Sequence, residues 1–493
     1  MPRCSIPFPT ELRPRLPTIV GNVDYLTLRQ RLEQIDQLLR SSGVEREFVE
    51  LSLQQWREGS RPPSIQEQQR FQIRSRKALR CSVLRTILQE DYRGFSCQVA
   101  GNPLYQWFCL IDALDQVRVP SKSELQRFAH WLPAPQMREL IQTLLVSALT
   151  QSRKLELKKP LDLESYFLDT TCLKANIHFP TDWVLLRDGM RTLMKATALI
   201  RRQGLKGRME PPEAFLRRIN RLSMDMTHQR RAAGGKKGRK RVLRQMKRQV
   251  KIVASHARRH RELLDKNWEK TSWTGGEARQ VLQRIDRVLK LLPQAQKQAH
   301  ERIIGGRLVA NEDKILSLYE PDIHVVVRGK AGAEVEFGNT VLLGENRQGI
   351  ILDYQVWKDQ GPADVNLLVE SVERVVGGLG RKIGAVVTDR GFASAANSRG
   401  LKECEIFDAT CPRNPQDLKE RMKEETFSEL QRRRAQTEGR ISILKQNFFG
   451  SPMRAKGFAH RELAVAWAVL THNLWKLARL RKKKRKVALR QAA

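Results

Sequence analysis

The sequence has no uncharged apolar run long enough to span a bilayer, which argues against membrane insertion. Its seven cysteines (Cys4, Cys81, Cys97, Cys109, Cys172, Cys404, Cys411) include no Cys-x2-Cys pair. Zinc-ligand spacing is therefore missing, and an odd, scattered set suits reduced thiols in a cytosolic chain better than a disulfide frame. The opening MPRCSIPFPTELRPRLP is broken by prolines and has no apolar centre, so a signal peptide is not expected. Acids are scarce: 53 Asp and Glu face 90 Lys and Arg, a formal net charge of +37 over 493 residues. That excess calls for a polyanionic partner. Neutralising phosphates releases counterions, so nucleic-acid binding with a steep salt dependence is the first expectation. A basic ribosome-associated or membrane-surface protein is the lesser alternative. The length allows two or three domains with real cores.

Because acids are few, their placement is informative. In Gln431 to Gly450, QRRRAQTEGRISILKQNFFG, helical spacing sets Arg434, Glu438, Lys445 and Gln431 at roughly 0°, 40°, 20° and 60°. One face thus carries a carboxylate flanked by cations, which alone is as well explained by a surface ion pair as by a site. Two other acids end short apolar runs: Ser165-Tyr-Phe-Leu168 leads to Asp169, and Ile383-Gly-Ala-Val-Val387-Thr leads to Asp389. Such runs read as buried strands, and a carboxylate at a buried strand tip is costly unless paired or metal-bound.

The order Asp169, Asp389, Glu438 resembles the Asp-Asp-Glu triad of insertion-sequence transposases. Arg434, Glu438 and Lys445 match in type and spacing the Tyr-x2-Arg-x3-Glu-x6-Lys signature of that family, with Gln431 at the Tyr position. Asp389-Arg-Gly-Phe392 is similar to the family's Asp-x-Gly-Tyr/Phe block. Asp169-Thr-Thr with Asn176-Ile-His-Phe-Pro-Thr-Asp182 resembles its first-Asp block. The likeness spans about Ala78 to Lys476. It implies a DNA transposase that binds its element ends, cleaves them by metal-dependent hydrolysis and joins the freed 3′-hydroxyl to target DNA. It also implies two Mg²⁺ (or Mn²⁺) ions per active site, held by Asp169, Asp389 and Glu438, with Arg434 and Lys445 on nearby phosphates. Further implied are double-stranded DNA as partner, a homodimer when DNA-bound, no membrane, and a cytoplasmic, nucleoid-associated, prokaryotic setting. Two other readings are a catalytically inactive, transposase-derived DNA-binding protein and a ribonuclease-H-type nuclease.

The fold expected is α/β: a ribonuclease-H-like catalytic domain with a mixed five-stranded sheet flanked by helices, an all-α N-terminal domain, and a large helical insertion after the first strand. Residues 1–60 read as a Pro-rich arm and amphipathic helices, with a seam of Tyr25, Leu28, Leu32, Ile35 and Leu39 that favours core packing over a dimer zipper. Residues 61–155 read as a helical DNA-end-binding domain, begun after Pro62-Pro63 by the capping-box pattern Ser64-Ile-Gln-Glu67 and carrying a second, Ser121-Lys-Ser-Glu124. A helical Leu104 to Leu114 meeting the Ser121 helix is read equally well as a helix-turn-helix or as an ordinary hairpin. Trp107, Phe108 and Trp131 read as core.

Residues 156–182 and 306–478 form the expected catalytic domain, 183–305 the basic helical insertion, and 479–493 a basic tail. The first strand is expected within Pro160 to Ala175. An antiparallel meander follows from His324, Glu334 and Gly349, then a helix at Asn366 to Val376 and a strand at Cys404-Glu-Ile-Phe407. The acid-free run Arg230 to Arg241 reads as a solvated loop or face that clamps DNA backbone through Arg230, Lys236, Lys237, Arg239, Lys240 and Arg241. Arg390 and, more weakly, Lys330 are further DNA-contact candidates. Asp182 and Asp188 read as capping or pairing locally, Glu424, Glu425 and Glu429 as exposed, and His178, His324 and His472 as structural.

Overall fold

The computed structural model describes residues 13, 15–57, 64–111, 116–330 and 333–482, and of residues 328–330 and 333 the backbone alone. The expectations for most of the N-terminal arm, for Pro62-Pro63, for the side chain of Lys330 and for the tail from 483 onward lie outside the described residues. The chain divides into two compact units: residues 1–173, 340–357 and 361–493, and residues 174–339 and 358–360.

Among the described residues the first unit opens with seven helices, most of whose starts are written in local chemistry. Asn22 accepts from the Tyr25 N–H to begin α1 (Val23–Ser41), and α2 (Val44–Arg57) follows Gly43. The Ser64 and Glu67 side chains close a reciprocal box at the start of α3 (Ile65–Leu88). Asp91 caps α4 (Tyr92–Gly101), and Asn102 caps α5 (Pro103–Phe108) with proline in its first turn. Ser121 accepts from the Glu124 N–H at α6 (Lys122–Ala129), and α7 (Ala134–Thr150) follows Pro133. Helix α5 is shorter than the sequence pattern promises: it stops at Phe108, and Leu110 turns into the left-handed region at φ 57°. The Tyr25-to-Leu39 seam is core packing, with Leu32, Ile35 and Leu39 fully buried.

Strand β1 (Ser165–Lys174) follows. The second unit then supplies α8 (Asp182–Arg202), α9 (Pro212–Arg231), α10 (Lys236–Asn267) and α11 (Gly275–Ala299), packed around Leu186, Phe215, Leu243 and Ile285. It also holds β2 (His324–Lys330), antiparallel to the first part of β3 (Ala333–Asn346), with His324 opposite Gly338. The chain returns to the first unit along the later part of β3. There it forms β4 (Ile351–Val356), α12 (Leu368–Leu379), β5 (Ala385–Thr388), α13 (Ala395–Glu403), β6 (Phe407–Thr410), α14 (Pro415–Arg421), α15 (Glu425–Leu444) and α16 (Phe458–Leu480).

Among the described residues the sheet has six strands rather than five, the expected strands at His324, Glu334 and Gly349 all joining it. In the first unit β4 pairs antiparallel with β3, β3 neighbours β1, and β1, β5 and β6 run parallel. Strand β6 begins at Phe407, three residues later than Cys404, because Glu405 takes a left-handed turn at φ 55° after α13. Period-two alternation sends β1's side chains to opposite faces. Tyr166 and Leu168 join a core that also holds Leu84, Phe108, Leu144 and Trp467, so the N-terminal helices and this sheet face share one apolar interior. Phe167 points the other way, into a small cluster with Val387, Phe427 and Leu430 of α15. Gly344 of β3 has to be glycine for close approach, since a Cβ there would lie 1.8 Å from the Tyr166 hydroxyl.

Candidate active site

The α15-facing side of the sheet carries the acids. The parallel register Ser165↔Ala385, Tyr166↔Val386, Phe167↔Val387 leads, two residues further along each chain, to Asp169 within β1 and to Asp389 just past the end of β5. Both are half-buried. Asp389 Oδ1 accepts from the Gly391 N–H at 2.8 Å and caps a short 3-10 turn, Arg390–Phe392, which the fully buried Phe392 anchors. Asp169 Oδ1 accepts from the Thr170 N–H at 2.8 Å. A further acid joins them without any motif to announce it: the Thr170 hydroxyl donates to Asp364 Oδ1 at 3.0 Å. A Cβ at Gly391 would lie 2.9 Å from Asp389 Oδ1 and 3.0 Å from Asp364 Oδ2, so two carboxylates crowd that glycine.

Helix α15 is fastened across this face at both ends. The Gln431 amide donates to the carbonyls of Thr388 at 3.2 Å and Ala409 at 2.6 Å, tying the helix to the ends of β5 and β6. Lys445, where α15 passes into a π turn (Lys445–Phe449), donates to Thr171 Oγ1 of β1 at 3.1 Å. Between these anchors, Thr437 donates to Glu345 Oε1 of β3 at 2.9 Å, and Arg440 bonds the same oxygen at 3.2 Å. Burial holds the Glu345 carboxyl above its ordinary range, against the pull of Arg440 and the Thr437 bond. Along β1, Asp169 is midway between Phe167, which meets Leu430, and Thr171, which meets Lys445; Glu438 is midway between Gln431 and Lys445.

Glu438 is exposed, with Arg434 Nη1 at 3.7 Å from its Oε1, while Arg434 Nε donates to Gln431 Oε1. Among the described residues no three His, Cys, Asp or Glu side chains lie close enough together to hold a metal ion. The two aspartates nevertheless offer hard oxygen donors, oriented by backbone N–H bonds, of the kind and number that Mg²⁺ or Mn²⁺ takes from protein.

Residues 329–474 match a family model described as Transposase DDE domain. That stretch is similar to transposase DDE domains. The match covers just under a third of the chain and includes Asp364, Asp389, Gln431, Arg434, Glu438 and Lys445; Asp169 precedes it. No curated protein and no solved structure gives a match.

Within the matched stretch Arg390 is exposed beside Asp389, and Glu429 pairs with Arg347. His472 is buried, its Nε2–H donating to the Gly349 carbonyl at 3.0 Å, and burial pushes its pKa down to about 4. Of the other acids, Asp182 accepts from Gln298 and Arg302 inside the second unit, and Asp188 pairs with Arg187. In that unit His178 is exposed and His324 bonds the Lys358 carbonyl. The basic run is mostly helical: Arg230 is in the last turn of α9, and Lys236, Lys237, Arg239, Lys240 and Arg241 open α10, Arg239 and Lys240 half-buried and the rest exposed. Glycines 234 and 235 confine the break to a short turn. Asp364 and Glu345 were missed because their partners, Thr170 and Thr437, are far away in sequence.

Proposed function

We propose that the protein is a DNA transposase: it binds the ends of its own element, hydrolyses a phosphodiester there, and joins the freed 3′-hydroxyl to target DNA. The observation that carries this is that the adjacent parallel strands β1 and β5 lead to Asp169 and Asp389, while helix α15 is fastened on either side of Glu438. The strand pairing, antiparallel from β4 to β3 and parallel through β1, β5 and β6, supports a ribonuclease-H-like catalytic domain.

Asp169, Asp389 and Glu438 would hold two Mg²⁺ or Mn²⁺ ions, which when bound supply charge stabilisation to the attacking and leaving oxygens. Glu438 completes the set when its side chain turns away from Arg434. Arg434, Lys445 and the exposed Arg390 fix phosphates beside the acids, holding the scissile bond in line with a water molecule. The water oxygen gives up a proton and bonds to phosphorus, the bond to the 3′-oxygen breaks, and the departing oxygen takes up a proton to become a 3′-hydroxyl. That hydroxyl then attacks a target phosphodiester in the same geometry, one P–O bond replacing another. An element has two ends and each chain one such site, so a DNA-bound homodimer, working at the nucleoid of a prokaryotic cell, completes the proposal.

Purified protein with Mg²⁺ is expected to nick or cut DNA carrying its element ends. Asp169→Asn, Asp389→Asn and Glu438→Gln should each abolish cutting while leaving DNA binding intact. Full activity in any one of them removes that residue from the site, and cutting of RNA–DNA hybrids in preference to element ends would replace the transposase reading by a nuclease one.

A further inference from the structure

Helix α10 is 32 residues long, about 48 Å at helical rise, and buries one apolar stripe of Leu243, Met246, Val250 and Val253. Its other side is strongly cationic. From Met226 to Arg261 the chain contains no Asp or Glu and fourteen Lys or Arg. Between α10 and α11 lies a cavity of about 370 Å³ with an aliphatic floor, to which Val250 and Leu292 contribute, and a rim of Lys247, Arg248, Lys251 and Arg258. None of these four cations is ion-paired among the described residues, although Arg261, one turn further on, is paired with Asp265 and Asp286. Lys247 is half-buried and bonds His300 Nδ1 at 3.2 Å, which fixes it at the edge of the groove; the other three are exposed. Across the groove Pro293 interrupts α11, removing the N–H that would bond the Leu289 carbonyl.

Four like charges gathered around one concavity repel one another, and no ion pair among the described residues offsets that repulsion. We infer that this groove seats the sugar–phosphate backbone of duplex DNA, phosphates on the Lys247, Arg248, Lys251 and Arg258 rim and deoxyribose against the aliphatic floor. The cation row continues along α10 through Arg244 and Lys240, so the array suits a chain of phosphates better than a single one. The floor has no aromatic ring on which an unpaired base would stack, which favours backbone contact over base capture. The inference rests on the reading of the protein as acting on DNA, and adds a second, sequence-independent contact made by the helical insertion.

The test uses the full-length protein and a fluorescein-labelled duplex of arbitrary sequence, with affinity followed as salt is raised. For Lys251→Ala/Arg258→Ala the slope of log K against log salt should become shallower by about 1.8, at about 0.9 per phosphate contact. Arg284→Ala/Arg287→Ala, two exposed cations on the far side of α11, removes the same charge and should leave the slope nearly unchanged. Equal effects from the two pairs, or none from the first, overturn the groove. So does inorganic phosphate that competes with duplex for the wild type but not for Lys251→Ala/Arg258→Ala at matched ionic strength, since the groove would then be a single-phosphate site. Cutting of element ends by the wild type is scored separately. Cutting without the slope change sinks the groove alone, and the slope change without cutting sinks the transposase reading alone.

Discussion

Gln431 stands where the family signature has tyrosine, and its chemistry suits the place it occupies. A primary amide has two N–H donors, and here they reach two carbonyls, Thr388 and Ala409, whereas a phenol has one hydrogen to give. Gln431→Ala should lower stability by about 1–2 kcal/mol, two hydrogen bonds' worth. It should also reduce strand cutting more than DNA binding, because Glu438 lies two turns along the same face. Gln431→Glu should do worse than alanine at neutral pH, since a carboxylate would point acceptors at two carbonyl oxygens; equal melting temperatures for the two variants would refute this account. His472 makes a different prediction. Its pKa of about 4 in the fold lies below the ordinary value of about 6.5, so between those values the unfolded chain binds the extra proton. Stability therefore falls as pH drops through this window, by about 2 kcal/mol from this residue at pH 5. Denaturant titrations at pH 7 and pH 5 should show that loss in the wild type and a smaller one in His472→Gln.

At the scale of elements, the N-terminal helices are joined through charge as well as apolar contact. Arg80 of α3 is fully buried and bonds Glu45 of α2 and Asp36 of α1, both at 2.6 Å, and the Phe108 carbonyl at 3.2 Å. Burial pushes the Glu45 carboxyl up, but Arg80 and Arg76 beside it bring it below its ordinary range. Arg80→Met would leave buried carboxylates with fewer cations and should cost about 3–5 kcal/mol in chemical denaturation. Arg74→Met, which breaks an exposed pair with Glu124, should cost about 1 kcal/mol or less. The cap of α3 was legible in Ser64 and Glu67 because a capping box is local. So were the Asp169 and Asp389 strands, which are short runs of buried apolar residues. The early end of α5 was not, because an apolar run does not reveal that Leu110 will leave the helical region. Nor were the supports of α15 readable, since Lys445 meets Thr171 across 274 positions and Gln431 meets Thr388 across 43. Local chemistry marks where elements begin; only the folded chain pairs them.

For the whole molecule the decisive quantity is the +37 charge, set against three acids that the proposed reaction needs. Binding and cutting should then respond to different solution variables. Binding depends on lysines and arginines meeting phosphates, so it should survive chelation of divalent ions and weaken steeply with salt. With six to ten phosphate contacts, affinity should fall by about 10³–10⁵ between roughly 50 and 200 mM. Cutting depends on the carboxylates at 169, 389 and 438 and should disappear on chelation at any salt. Neutralising one of these acids also removes a negative charge from a surface meant for phosphates, so Asp389→Asn should bind duplex DNA at least as tightly as the wild type while failing to cut it. A fluorescence anisotropy titration in chelator, run beside a cleavage assay in Mg²⁺, reads both quantities on the same preparation. If Asp389→Asn bound much more weakly than the wild type in chelator, its carboxylate would be holding the fold of the DNA-binding surface, and loss of cutting in that variant would no longer point to chemistry at the strand tip.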